Sequence, residues 1–140
     1  MNFDWSSYLE IAQILYDEVI NTSNQENSAS IKEAKIRSAI SRAYYSAFCL
    51  TRNYLRDFEG YTDLATRTKG VHEYVISELQ NSTQQDFINL GNYLDRLRSL
   101  RVEADYKDNA GVNLLIAKAK IALKDAKKVV DLIEKLTSQS

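Results

Sequence analysis

The sequence predicts an all-α protein, a four- to five-helix up-and-down bundle, and three observations carry this prediction. The 140 residues contain no proline, where an average usage near 5% gives about seven. Glycine, which also disfavours helix interiors, occurs only four times. Apolar side chains recur three and four residues apart along most of the chain, which is the spacing of one helix face. We interpret residues 1–140 as one helical domain.

The same composition excludes several kinds of site. A single cysteine, Cys49, excludes an internal disulfide and any multi-cysteine zinc or iron–sulfur site. A single histidine, His72, excludes a histidine-rich metal cluster, and the four scattered glycines form no phosphate-binding loop. We therefore expect no metal and no cofactor. The chain has no basic leader and no apolar run of membrane length, which predicts a cytoplasmic protein without a membrane partner.

The first half of the chain predicts two helices. Asp4 is placed to cap a first helix that runs to about Ile20, and the polar residues 21–30 predict a mobile loop. Ser30 and Glu33 form a capping-box pattern that opens a second helix, which ends near Phe58 before Gly60. The apolar positions that define this second helix are Ile36, Ile40, Ala43, Ala47, Leu50 and Tyr54, with Tyr44 and Phe48 beside them.

The second half predicts three more helices. Residues 60–70 form a polar loop anchored by Tyr61 and Leu64, and residues 71–80 form a short third helix. Ser82 or Thr83 caps a fourth helix, and a fifth runs over residues 112–136. The fourth helix has the apolar stripe Phe87, Leu90, Leu94, Leu97 and Ala104. The lysines of the fifth helix are offset on a solvated face by Asp125, Asp131 and Glu134.

Arg101 interrupts the apolar stripe of the fourth helix. It follows Leu97 by four residues and precedes Ala104 by three, so it faces the core. A charged side chain in that position requires a partner, because an unpaired buried charge is very costly. Asp105, one turn later, is the nearest candidate. Two interpretations stay open: a structural Arg–Asp pair, or a guanidinium that holds a phosphate in a cleft or a dimer interface.

A second cluster of arginines lies on the second helix. Residues 37–56 contain four arginines and no acidic residue. Arginines that alternate with a tyrosine on one face are suited to hold a phosphate backbone and stack a base. Arg42, Tyr45 and Arg52 are therefore candidate RNA contacts, and a merely solvated face is the alternative. The whole polar face consists of Ser38, Arg42, Tyr45, Cys49, Arg52 and Arg56.

His72 and Cys49 are the remaining residues with possible chemistry. His72 stands beside Glu73 at the start of the short third helix, where it is either a structural histidine or a general acid or base near neutral pH. Cys49 has no recognisable catalytic partner, which indicates an inert, partly buried thiol.

Three segments together resemble the HEPN superfamily, and most closely its prokaryotic branch. They are Arg37–Phe48, which contains SRxYYxxF; Lys69–His72; and Leu97–Tyr106, which contains RxxADY. The resemblance covers residues 32–135. It implies a four- to five-helix up-and-down bundle that usually forms a homodimer. Many members are metal-independent endoribonucleases of toxin–antitoxin, antiphage or CRISPR-linked systems, and others are non-catalytic RNA- or nucleotide-binding partners of nucleotidyltransferases.

Nuclease members of this superfamily carry an Arg-x(4–6)-His motif on both protomers, and Arg101 aligns with its arginine. This sequence departs from the motif, since Asp105, Tyr106, Lys107 and Asp108 follow Arg101 and no histidine does. For cleavage, the resemblance implies that Arg101 stabilises the phosphate charge while Asp105, Tyr106 or His72 handles protons. We expect a metal-independent endoribonuclease with RNA, a second copy and a nucleotidyltransferase or other defence protein as partners. A non-catalytic RNA-, nucleotide- or partner-binding module is the alternative.

Overall fold

The part of the chain that the structure describes forms five α-helices, as the sequence predicts. A computed structural model describes residues 2–21 and 28–139. Within these residues there is no β-strand, and one short 3₁₀ helix, Thr62–Ala65, follows the second α-helix. The α-helices are α1 (Ser7–Asn21), α2 (Ala29–Phe58), α3 (Val71–Gln80), α4 (Gln85–Tyr106) and α5 (Val112–Ser138). Most of the polar loop predicted at residues 21–30 lies outside the described residues.

The start of α2 differs from its prediction. Ser28 has extended backbone, and its side-chain oxygen accepts a hydrogen bond from the Ile31 N–H at 3.2 Å. Ser28 is therefore the N-cap, and the capping box predicted at Ser30 and Glu33 is wrong because Ser30 already lies in the first helical turn. Serine is a favoured N-cap residue at either position, and the backbone conformation shows that Ser28 is the one that caps the helix.

The start of α4 also differs. Gln84 is the N-cap and makes no side-chain capping bond, so neither Ser82 nor Thr83 caps this helix directly. The Ser82 hydroxyl instead accepts a hydrogen bond from the Gln84 N–H at 3.0 Å, which fixes the turn that precedes the helix. In the predicted 60–70 loop, Leu64 is buried and Tyr61 is half-buried, so both act as the anchors that the sequence indicates.

The central helix is α2, which packs against α1, α4 and α5, while α4 also packs against α3. Side-chain pairs fix the directions of neighbouring helices. Glu18 near the end of α1 pairs with Lys35 near the start of α2, so these helices are antiparallel. Asp86 at the start of α4 pairs with Lys135 at the end of α5, so these are antiparallel as well. The bundle is therefore up-and-down.

Most of the buried core follows the predicted apolar stripes of α2, α4 and α5, but Leu50 of the predicted α2 stripe is only half-buried. Asp125, predicted on the solvated lysine face of α5, has a side chain only 2% exposed. Its two carboxylate oxygens accept hydrogen bonds from Arg96 Nε and Nη2 at 2.5 and 2.6 Å. Because α4 supplies this bidentate partner, α5 tolerates a carboxylate on its buried side.

A close approach between α3 and α4 positions the third helix. A Cβ placed on Gly91 of α4 would lie 2.8 Å from Gln80 Cγ and 3.0 Å from Leu79 Cβ of α3. Glycine is therefore required sterically at this crossing. This crossing fixes the end of α3 against the first half of α4, and the Arg98–Glu73 pair joins the beginning of α3, which carries His72, to the second half of α4.

Candidate functional site

Arg101 lies at the centre of the candidate site and is incompletely paired. Its side chain is 12% exposed. Arg101 Nη1 donates a long hydrogen bond of 3.4 Å to Asp105 Oδ2, which confirms the partner predicted from the sequence. Arg101 Nε is buried and has no hydrogen-bond partner among the described residues. The guanidinium therefore keeps donor capacity that the protein itself does not use.

Two tyrosines of α2 surround this guanidinium. The Arg101 Cζ atom lies 5.5 Å from the ring centroid of Tyr44 and 5.5 Å from that of Tyr45, within cation–π distance of both. Burial acts against the charge on Arg101. The influence of Tyr45, Asp105 and Tyr44 outweighs it and raises the Arg101 pKa, so the guanidinium stays charged.

His72 of α3 contacts the same two tyrosines. Its Nδ1 atom lies 2.5 Å from the Tyr44 hydroxyl oxygen, and its ring stacks on Phe48 with centroids 4.2 Å apart. The Tyr45 ring meets the imidazole edge-on at 6.2 Å. Burial lowers the His72 pKa, and the charges of Arg98 and Arg101 lower it further. His72 is therefore neutral at pH 7.

Arg98 is a member of this site that the sequence reasoning did not single out. Its Nη2 atom donates a hydrogen bond of 2.9 Å to Glu73 Oε1, next to His72. The available signal was its position three residues before Arg101, which places the two arginines on neighbouring positions of one helix face. The second half of α4 thus presents two guanidinium groups to the start of α3.

A polar groove continues from Asp105 along the start of α2. Arg37, Ser38, Ser41 and Arg42 line it together with Ala104 and Asp105. Arg37 Nη1 and Nη2 donate hydrogen bonds of 2.8 and 2.7 Å to the carbonyl oxygens of Ala104 and Lys107. Arg37 therefore satisfies terminal carbonyl groups of α4 and fixes the turn that carries Asp105.

The structure thus brings together some of the predicted site residues and separates others. Arg101, Asp105, Tyr45 and His72 form one cluster, joined through Tyr44. Arg42 is exposed, lines the groove beside Asp105 and lies over the Tyr8 ring at 4.7 Å. The other two candidates, Arg52 and Tyr106, lie at the margin of this cluster. The Arg52 Cζ atom lies 5.9 Å from the Trp5 ring centroid, and Tyr106 is 73% exposed at the end of α4.

Two roles predicted for buried residues of α2 need adjustment. Tyr44 is buried as predicted for a core residue, but its hydroxyl also holds His72. A tyrosine on an apolar stripe signals such a role, because a buried phenol needs a hydrogen-bond partner. Cys49 is buried rather than partly buried, and burial raises the pKa of its thiol, which agrees with an inert residue.

Two properties of the described residues bear on the class of the site. Residues 2–21 and 28–139 contain no group of three or more histidine, cysteine, aspartate or glutamate side chains arranged to hold a metal ion. None of the helices in this part of the chain combines the length and apolar character that a membrane span requires.

The up-and-down helical bundle is the architecture that the resemblance implies, and Arg101 of the RxxADY motif lies near the end of its fourth helix. The family model for the HEPN domain matches residues 21–136, and the chain belongs to the HEPN domain family. The predicted membership is therefore confirmed, whereas assignment to the prokaryotic branch rests on the motifs alone. Searches of curated proteins and of solved structures found no significant match.

Proposed function

We propose that this protein binds RNA and cleaves it without a metal ion, with Arg101 holding the scissile phosphate. The observation that carries the proposal is the incomplete pairing of Arg101, whose Nε atom is buried without a partner while Asp105 lies at 3.4 Å. A buried donor without an acceptor is costly, and a phosphate oxygen supplies an acceptor of opposite charge. Guanidinium groups are also geometrically matched to phosphate.

The side chains around Arg101 suit cleavage through the RNA 2′-hydroxyl. In the proposed reaction the Asp105 carboxylate accepts the 2′-OH proton, and the 2′-oxygen forms a bond to phosphorus. Arg101 stabilises the negative charge that develops on the phosphate oxygens. The bond from phosphorus to the 5′-oxygen then breaks, and the leaving oxygen takes a proton from the exposed Tyr106 or from water. The products are a 2′,3′-cyclic phosphate and a 5′-hydroxyl end.

The surrounding surface supports the choice of RNA as the ligand. Tyr45 is half-buried beside Arg101 and offers a ring for base stacking. Arg42 lies along the groove from Asp105, and Arg98 lies one turn before Arg101. We propose that these arginines contact phosphates on either side of the scissile bond, and that Arg52 contributes at the edge of the same surface.

The test is cleavage of total RNA by the purified protein in the presence of EDTA. We expect wild-type protein to cleave and Arg101→Ala to lose at least about 100-fold of the rate, the typical effect of removing a group that stabilises transition-state charge. Lys127→Ala is the matched control, because Lys127 is an exposed cation of α5 that pairs with Asp131 and belongs to none of the proposed RNA contacts. Absence of cleavage, or equal cleavage by Arg101→Ala, contradicts the proposal.

A non-catalytic RNA- or nucleotide-binding module is the second candidate. The observation that favours it is the lack of a histidine shortly after Arg101, where nuclease relatives are expected to carry one. Under this alternative the same arginines hold RNA without cleaving it. An electrophoretic shift of a labelled RNA that stays intact, and that Arg101→Ala weakens, would support binding alone.

We also propose that the protein forms a homodimer and acts in a toxin–antitoxin or antiphage system. Its family membership supports both points, since many HEPN domains work as dimers in RNA-directed systems. Light scattering of the purified chain tests the first point, with a mass of twice 16.0 kDa expected. Co-purification with a nucleotidyltransferase encoded beside this chain tests the second.

A further inference from the structure

His72 is held in one orientation, and this constrains where its proton lies. The Tyr44 hydroxyl oxygen is 2.5 Å from His72 Nδ1. Phe48 stacks on the imidazole at 4.2 Å with the ring planes 22° apart. The ring therefore has one nitrogen directed at a buried phenol, and its other nitrogen, Nε2, lies on the edge away from that phenol.

The phenol donates this hydrogen bond. Tyr44 is fully buried, and burial raises its pKa well above the ordinary value, so the hydroxyl stays protonated at neutral pH. In residues 2–21 and 28–139, His72 Nδ1 is the hydrogen-bond partner found for that hydroxyl. A buried O–H group needs an acceptor, and Nδ1 accepts only when it carries no proton.

The charged groups around the imidazole keep it neutral. Arg98 and Arg101 face it from α4, Arg52 lies on α2, and Glu73 is its neighbour on α3. Burial and the three arginine charges outweigh the opposing effect of Glu73, so the His72 pKa is lowered. A neutral imidazole that accepts at Nδ1 carries its single proton at Nε2.

We propose that Tyr44 fixes His72 as the Nε2–H tautomer and that His72 acts as a neutral hydrogen-bond donor to an RNA phosphate oxygen, not as a general base. Tyr44 is then a positioning residue, because it acts through the imidazole. This inference rests on the proposed RNA-binding function. It assigns three N–H donors, from Arg98, Arg101 and His72, to one phosphate site, and it leaves proton abstraction to Asp105.

The tautomer is measurable directly, because His72 is the chain's only histidine. We expect the ¹⁵N spectrum of labelled wild-type protein at pH 7.5 to show an unprotonated Nδ1 and a protonated Nε2, with well-separated resonances. In Tyr44→Phe, which removes only the hydroxyl, the two resonances should move toward each other as the tautomers mix. A wild-type spectrum with a proton on Nδ1, or with both nitrogens protonated, overturns the inference, and this measurement needs no variant to fold.

The donor role is tested with two variants and a fluorescein-labelled single-stranded RNA oligonucleotide. His72→Gln keeps an N–H donor close to the position of Nε2 and cannot act as a base, whereas His72→Ala removes the donor. We expect His72→Gln to bind within about threefold of wild type and His72→Ala to bind about tenfold more weakly, the effect of one lost hydrogen bond to a charged group. Cleavage, where it occurs, should likewise survive in His72→Gln.

The outcomes separate this inference from the proposed function. Loss of cleavage in His72→Gln together with unchanged RNA binding would show that His72 is a base, which overturns the donor role and leaves the nuclease proposal intact. Equal binding by His72→Ala and wild type also overturns the donor role. Failure of the wild-type protein to bind the oligonucleotide contradicts the proposed function and the donor role together, while the spectrum still decides the tautomer.

Discussion

Two arginines of α4 that are five residues apart in sequence have opposite environments. Arg96 is 56% exposed, yet it donates two short hydrogen bonds to Asp125, whose side chain is 2% exposed. Arg101 is 12% exposed, yet it has one long contact to Asp105 and a buried Nε without a partner among the described residues. The more exposed arginine is the better paired one.

This difference separates a structural arginine from a functional candidate. Arg96 neutralises a buried carboxylate and so holds α4 to α5. Arg101 retains unsatisfied donors in a position where water is largely excluded, and the low dielectric there strengthens its attraction to an incoming anion. Incomplete pairing, rather than burial or charge alone, therefore marks the end of α4 that we propose as the binding site.

The largest expected effect comes from Arg101→Met, which replaces the guanidinium by an apolar side chain of similar length. We expect RNA cleavage to fall at least about 100-fold, because the charge on the phosphate is no longer stabilised. The free energy of unfolding should change by no more than about 1 kcal/mol, since the lost cation–π contacts are offset by removal of a poorly paired buried charge. Loss of stability in proportion to activity would instead make Arg101 structural, like Arg96.

Arg96→Ala should show the opposite pattern. It leaves the Asp125 carboxylate buried without its bidentate partner, and removing one member of a buried pair costs about 3–5 kcal/mol. Urea unfolding measures this loss, and RNA cleavage by the folded fraction should stay at the wild-type level. Asp125→Ala is the informative companion, because the half-exposed Arg96 regains water and the cost should be smaller. Equal costs for the two variants would contradict this asymmetry.

Arg37→Ala tests an arginine beside the site that is paired with two carbonyl oxygens and with Glu33. It removes the two hydrogen bonds to the carbonyl oxygens of Ala104 and Lys107, which should cost about 1–3 kcal/mol of unfolding free energy. The last turn of α4, which carries Asp105, should then fray and show faster amide hydrogen exchange. RNA cleavage should fall together with this protection. Unchanged exchange at the end of α4 would show that Arg37 does not fix the turn.

The helices were predictable because their signal is repeated along the chain. Each apolar stripe has several members, so one misplaced residue does not alter the predicted face. The ends of helices depend on single residues, and for that reason the local pattern favours Ser30 where Ser28 forms the cap. The lysine pattern predicts Asp125 on the solvated face for a related reason, since the partner that allows its burial, Arg96, is 29 positions away in sequence.

The candidate site was predictable only in part. Arg101 and Asp105 are one helical turn apart, so their contact follows from spacing. The approach of His72 to Tyr44 depends on how α3 crosses α4 and reaches α2, which no local pattern encodes. The superfamily motifs identified the helices that carry the site. They could not indicate that the single histidine of α3 lies among the tyrosines of α2.

The smallest expected effect is a pH dependence of the folding stability that arises from His72, beside the Arg101 end of α4. Burial, Arg98 and Arg101 lower the His72 pKa in the folded protein, against an unfolded value near 6.5. As pH falls below about 6.5 the unfolded chain therefore binds a proton before the native protein does, and stability decreases until the folded pKa is passed. The carboxyl groups with lowered pKa, such as Asp57 and Glu103, titrate only at more acidic pH.

Urea unfolding at pH 7.5 and 5.5 measures this effect. The free energy of unfolding should be lower at pH 5.5 for wild type, and His72→Gln should lack this decrease. Equal decreases in the two proteins would mean that the imidazole is not enclosed as described, and that the Arg101 end of α4 is no more sensitive to protons than the Arg96 end.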